Sequence, residues 1–146
     1  MASIYPEINL PTLVAPRRKS TSNQNKATPY FDFRFGEFSF APSGKPIMAS
    51  PREAFEQWCI KVCYTERNTK LAYSDKIGVE FHELAGMNDI QAVKSKIIRT
   101  ITEAIMVHPA AERVKNFSFK IEGDNVWVSF DVKAKYLDES RLEVQL

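Results

Sequence analysis

Apolar positions along the 146 residues change period several times, and each change predicts an element. In YFDFRFGEFSF, residues 30–40, Phe31, Phe33 and Phe35 alternate with Asp32 and Arg34, and the alternation resumes out of step after Gly36 with Phe38 and Phe40. A period of two predicts two short strands, or one strand with a bulge at the glycine, and the aromatics are expected to form one face of a core. The loop APSGKPIMA leads into SPRE, where Ser50 and Glu53 can exchange capping hydrogen bonds and Pro51 suits the first helical position. Ala54, Phe55, Trp58, Cys59 and Val62 follow at spacings of three and four, so a helix with one apolar stripe should end near Tyr64 or Thr65.

After a polar connection, IGVEFHELAGM predicts a short strand or helical turn punctuated by Gly78 and Gly86. NDIQAVKSKIIRTITEAIMVHP carries the strongest helical pattern. Ile90, Val93, Ile97, Ile101, Ala104 and Ile105 hold one face, Asn88 or Asp89 caps it, and Pro109 stops it. In NFSFKIEGDNVWVSFDVKAK, Phe117, Phe119 and Ile121 answer Val126, Val128, Phe130 and Val132 across Glu122, Gly123, Asp124 and Asn125, which predicts a hairpin. Its polar face shows Ser118, Lys120, Ser129, Asp131 and Lys133, with Trp127 as the one large residue among them and a candidate interface anchor. Last, Leu142, Val144 and Leu146 alternate with Arg141, Glu143 and Gln145, a strand that forms either an edge of this sheet or an addition to another. These elements predict an α+β fold in one domain over residues 30–146: a small mixed sheet with a C-terminal antiparallel hairpin packed against two main helices.

Residues 1–29 differ in kind. Pro6, Pro11, Pro16 and Pro29 and the run KSTSNQNKAT cannot bury enough surface to fold alone, so an extended N-terminal arm is expected. Its apolar residues Ile4, Tyr5, Ile8, Leu10, Leu13 and Val14 favour docking on a partner. The arm holds Arg17, Arg18, Lys19 and Lys26 against Glu7, while the rest of the chain has sixteen cations against seventeen acids. That short basic run lacks interleaved aromatics and a broad basic face, so nucleic acid is not an expected partner. Apolar runs of a few residues exclude a membrane span and an export signal from the expectations. Cys59 and Cys63 lie four apart on one helical face with no other thiol to bridge, which suits a reducing compartment.

Candidate chemistry is sparse. His82 and Glu83 begin a zinc-hydrolase pattern, but Gly86 stands where its second histidine belongs. Cys59, Cys63, His82 and His108 have no recognised metal-ligand spacing, so no metal and no cofactor are expected. No serine sits in a nucleophile elbow and no glycine-rich loop precedes a helix. Glu66, Asp75, Glu80 and Glu83 could supply the two carboxylates of a glycosidase, yet Arg67 beside Glu66 favours an ionised carboxylate, opposite to what a general acid needs. No catalytic residue is assigned.

The Trp58 helix running into Thr65, Glu66 and Arg67, then Tyr73, then Gly78, Val79 and Glu80, then Leu84, Ala85 and Gly86, resembles the small baseplate wedge proteins, or sheath initiators, of contractile phage tails, tail-like bacteriocins and related injection machines. The likeness spans about residues 30–135 and is closest to the branch in phages and defective prophages of Gram-positive bacteria. The wider family often has a proline between the acid and the arginine and an aromatic after it; here Glu66 and Arg67 are adjacent and Asn68 follows. The resemblance implies a structural part, made in the bacterial cytoplasm and built in several copies into a symmetric tail baseplate. Its partners would be other wedge proteins, sheath subunits, and hub or tube proteins. Old labels of the family mention lysozyme activity, which makes a peptidoglycan-cleaving enzyme the alternative. On the structural reading, Glu66 and Arg67 brace the exit of the first helix near a subunit contact, with Tyr73, Gly78 and Trp127 as further contact candidates. The terminal strand with Arg141, Leu142, Val144 and Leu146 would pair with a sheath subunit.

Overall fold

The computed structural model describes residues 27–146, so expectations placed on residues 1–26 of the arm lie outside the described residues. Pairing begins at once: the Ala49 N–H donates to the Thr28 carbonyl at 2.8 Å, and Pro29 bridges Met48. Two short strands follow, β1 (Phe31–Asp32) and β2 (Glu37–Phe38), paired antiparallel as Phe31 with Phe38 and Asp32 with Glu37. The chain reverses at Gly36, whose φ of +70° is the left-handed conformation glycine adopts without strain. The aromatics of this hairpin are not core residues: Phe35 is 78% exposed and Phe40 62%, with Phe33 and Phe38 also exposed. Alternation reports that one face is apolar, not that anything covers it. Here the hairpin is tethered by polar bonds, from the Phe31 N–H to Gln57 Oε1 at 2.6 Å and from Gln57 Nε2 to the Pro29 carbonyl at 3.4 Å.

Helix α1 (Pro51–Cys63) starts as its sequence dictates. The Ser50 N–H donates to Glu53 Oε2 at 2.7 Å and the Glu53 N–H to Ser50 Oγ at 3.3 Å, a closed capping box that also holds the Glu53 carboxyl below its usual range. Phe55, Cys59, Val62 and Cys63 are buried, and Tyr64 ends the helix. Helix α2 (Ile90–Met106) is capped by Asp89, whose Oδ1 accepts from the Gln91 N–H at 2.9 Å, and buries Ile97, Thr100, Ile101, Ala104 and Ile105. Ile90, expected on that face, is exposed instead. Between the helices, residues 78–86 form a single parallel bridge at Val79 and a 3-10 turn (His82–Leu84).

The main sheet has the order β3 (Ala111–Glu122), β4 (Asn125–Ala134), β5 (Ser140–Gln145) and is antiparallel throughout. The turn falls where expected, with Glu122 paired to Asn125 and Gly123 at φ +61°. Strand β3 begins five residues earlier than its alternation announces, because irregular register on both sides of Val114 and Lys115 hides the period of two there. One sheet face carries Val128, Phe130, Val132, Leu142 and Val144 into the core against both helices. Each such side chain contributes about 1.5–3 kcal/mol on burial. Helix α1 runs alongside β5: Arg52 and Glu56 meet Ser140 near its start, and Tyr64 meets Gln145 at its end. Helix α2 packs under β3. The opposite sheet face is polar.

Candidate functional site

The segment leaving α1 is pinned to the segment before the 3-10 turn. The Arg67 N–H donates to the Val79 carbonyl and the Val79 N–H to the Thr65 carbonyl, both at 2.9 Å, which places Glu66 beside Val79 in a parallel bridge. The Arg67 guanidinium then closes the clip. Its Nε and Nη2 donate to the Gly78 carbonyl at 3.3 and 3.1 Å, and its Nη1 meets Glu80 Oε1 at 3.1 Å. Both side chains are largely withdrawn from water, where a forked, charge-assisted contact gains strength. Gly78 is obligatory: its φ is +110°, and a Cβ there would lie 2.5 Å from the Thr65 carbonyl oxygen and 3.0 Å from the Arg67 nitrogen. The clip is anchored to the core by Val79, which is buried, and by the Glu80 N–H, which donates to Thr100 Oγ1 of α2 at 3.2 Å. The structure therefore brings Glu66, Arg67 and Gly78 together and leaves Tyr73 exposed on the loop between the two halves of the clip.

Around the clip, Glu66, Glu80 and Glu83 each meet a basic group, while Asp75 has no ion pair among the described residues. Glu66 Oε1 contacts His82 Nδ1, and that carboxylate holds the imidazole above its usual range. Lys96 bonds Glu83 and keeps its carboxyl below the usual range. Glu80 is bound by Arg67. A glycosidase needs one carboxyl kept neutral by apolar surroundings. None of these three has such surroundings, so the lysozyme alternative draws no support from them. Among the described residues no three His, Cys, Asp or Glu side chains converge as a metal site. Cys59 and Cys63 are packed in the core, where burial pushes the Cys63 thiol up to about 12 and raises Cys59 as well, the form in which a cysteine behaves as a small apolar residue. No helix among the described residues is long and apolar enough to cross a membrane.

The terminal strand is an edge of this sheet. The Leu146 N–H donates to the Val126 carbonyl at 2.8 Å, so in the antiparallel register Val144, Leu142 and Ser140 also turn their backbone groups to β4. Arg141, Glu143 and Gln145 turn theirs outward. Tyr64 Oη accepts from the Gln145 N–H at 3.3 Å; Arg141 and Glu143 have no such cover among the described residues. The side chains of Leu142 and Val144 are spent in the core, and Leu146 packs against its margin. The apolar side chains of β5 are therefore not free for an outward contact, whereas the backbone of its outward positions is. Arg141 is occupied across the polar face, donating to Asp131 Oδ1 at 3.0 Å, Ser118 Oγ at 2.7 Å and the Asn116 carbonyl at 3.2 Å. Trp127 lies half-buried on that face, in register between Lys120 and Gln145.

A second surface was not among the sequence-derived candidates. Phe33, Phe35, Phe38, Phe40, Ile47 and Met48 all stand exposed on the N-terminal hairpin and the loop after it. Single exposed apolar residues are ordinary, but a run of this kind is a candidate contact surface.

Residues 28–137 match the model of a protein family described as contractile injection system sheath initiator. None of the curated proteins compared with the chain matches it.

Proposed function

The chain belongs to the contractile injection system sheath initiator family, and from that membership we propose a mechanical role: it joins wedge proteins of the tail baseplate and templates the first sheath ring by strand pairing. The observation that carries the templating is the outward backbone of Arg141 and Glu143 on β5. Unpaired N–H and C=O groups on an edge are a liability in a free monomer and a ready template in an assembly. The first sheath subunit adds a strand there, and its register is set by Tyr64, which caps the Gln145 end of the same edge. Wedge proteins take the exposed aromatics around Phe35 and Phe40, where covering apolar area supplies affinity without chemistry. The clip of Glu66, Arg67 and Gly78 ties together the two ends of the loop that carries Tyr73, so part of the entropy of ordering that loop is lost at folding rather than at docking. Several copies arranged by the symmetry of the tail would present equivalent edges to a ring of sheath subunits.

Glu143→Pro tests the templating. The Glu143 N–H points away from β4, so proline removes an outward donor without removing a bond of the β4–β5 ladder. The variant is expected to fold with stability close to the parent and to yield tails with bare tubes in negative-stain images. Full-length sheathed tails from this variant would overturn the reading.

A further inference from the structure

The second edge of the sheet borders an apolar groove. Leu84, Met87, Ile90, Val93, Phe119 and Ile121 line a cavity of about 290 Å³ between the start of α2 and the tip of the β3–β4 hairpin, together with Val126 and Leu146 and with Lys94 as its one charged side chain. Glu122 and Asn125 close a two-residue turn, so they face each other across the ladder, as do Lys120 and Trp127. Phe119 and Ile121 consequently point their backbone groups away from β4, over the groove. Among the described residues nothing bonds to them there. An open strand edge above an open apolar groove is the arrangement that accepts one extended segment.

We propose that residues 4–10 of this same chain occupy it, adding a short strand to β3 with Ile8 and Leu10 in the groove. Ile4, Pro6, Ile8 and Leu10 fall on one side of an extended chain, and Tyr5, Glu7 and Asn9 on the other. Pro6 and Pro11 carry no N–H, which confines the ladder to the stretch between them. Two inward residues, Ile8 and Leu10, then meet two outward-facing backbone positions, Phe119 and Ile121. Reach agrees. The described chain begins beside Ala49, at the start of α1, while the groove includes Leu146, next to the residue that Tyr64 caps at the other end of that helix. Thirteen helical residues span about 20 Å, and the eighteen residues 11–28 can extend to about 60 Å. A tethered segment also meets the groove at an effective concentration that a separate peptide would have to match. This docking is independent of the role proposed for β5, which lies on the opposite edge.

The test is amide hydrogen exchange of Phe119 and Ile121 in the full-length chain, compared with full-length Ile8→Asp/Leu10→Asp. The parent is expected to show both amides protected, and the double variant to exchange them at least about tenfold faster while the amides of α1 and β4 stay unchanged. A synthetic peptide of residues 2–14 should restore protection to the variant. Equal exchange in parent and variant would overturn the proposal, as would protection that appears only as protein concentration rises, since the arm would then come from a second copy.

Discussion

Gly78 and His82 show how much of this molecule is decided at single positions. Gly78 and Gly86 both sit at positive φ, but only at Gly78 would a Cβ meet backbone. Gly78→Ala should therefore cost more than about 2 kcal/mol in denaturant unfolding, and clearly more than Gly86→Ala, which pays for conformation alone. Equal losses would mean that the crossing of residues 65–67 over Gly78 is looser than the structure has it. His82 is held above the usual imidazole range first by its hydrogen bond to Glu66. A raised folded value means that the contact is fully made below the unfolded value near about 6.5 and fades as pH rises through the higher folded one. A proton NMR titration should find the His82 midpoint above that of an unfolded histidine and find it lowered in Glu66→Gln; an unmoved midpoint would remove the pair. The glycine and the arginine were legible as a motif in the sequence. Their contact was not, because parallel pairing of residues 65–67 with 78–80 leaves no period to read.

At the scale of elements, legibility followed the range of the interactions. The capping box of α1, the Asp89 cap of α2 and the turn at Gly123 are made by residues within three or four positions of each other, and all three were readable. The start of β3 was not, since its irregular register breaks the alternation that would announce it. The N-terminal hairpin misled in a more useful way. Its aromatics follow a strand pattern, yet the elements that would cover them belong elsewhere, with α1 beside β5 and α2 under β3. What a core pattern lacks inside the chain, a partner can supply. Likewise, the terminal strand proved to be half core and half edge. Its even positions pack inward, and its odd positions leave backbone groups facing out, a division the alternation of Leu142 and Val144 with Arg141 and Glu143 already contained.

For the whole molecule, the arrangement separates a closed interior from open margins. The two helices and one sheet face form a sealed core in which even the thiols are out of reach. Among the described residues, hydrogen-bonding capacity and apolar surface remain at the rims: the β5 edge, the β3 edge with its groove, and the aromatic hairpin. A near-neutral body, with sixteen cations against seventeen acids after residue 29, allows close packing of like copies without strong repulsion. On the proposed function, a sheath initiator organised this way acts by being completed, with the β5 edge as its template. The direct measurement is hydrogen exchange at the Arg141 and Glu143 amides in the free chain and after mixing with sheath subunits. Both amides should exchange rapidly in the free chain and slow by at least about tenfold in the mixture. If they are already protected in the free chain, or stay unprotected with sheath assembled on it, β5 is not the template.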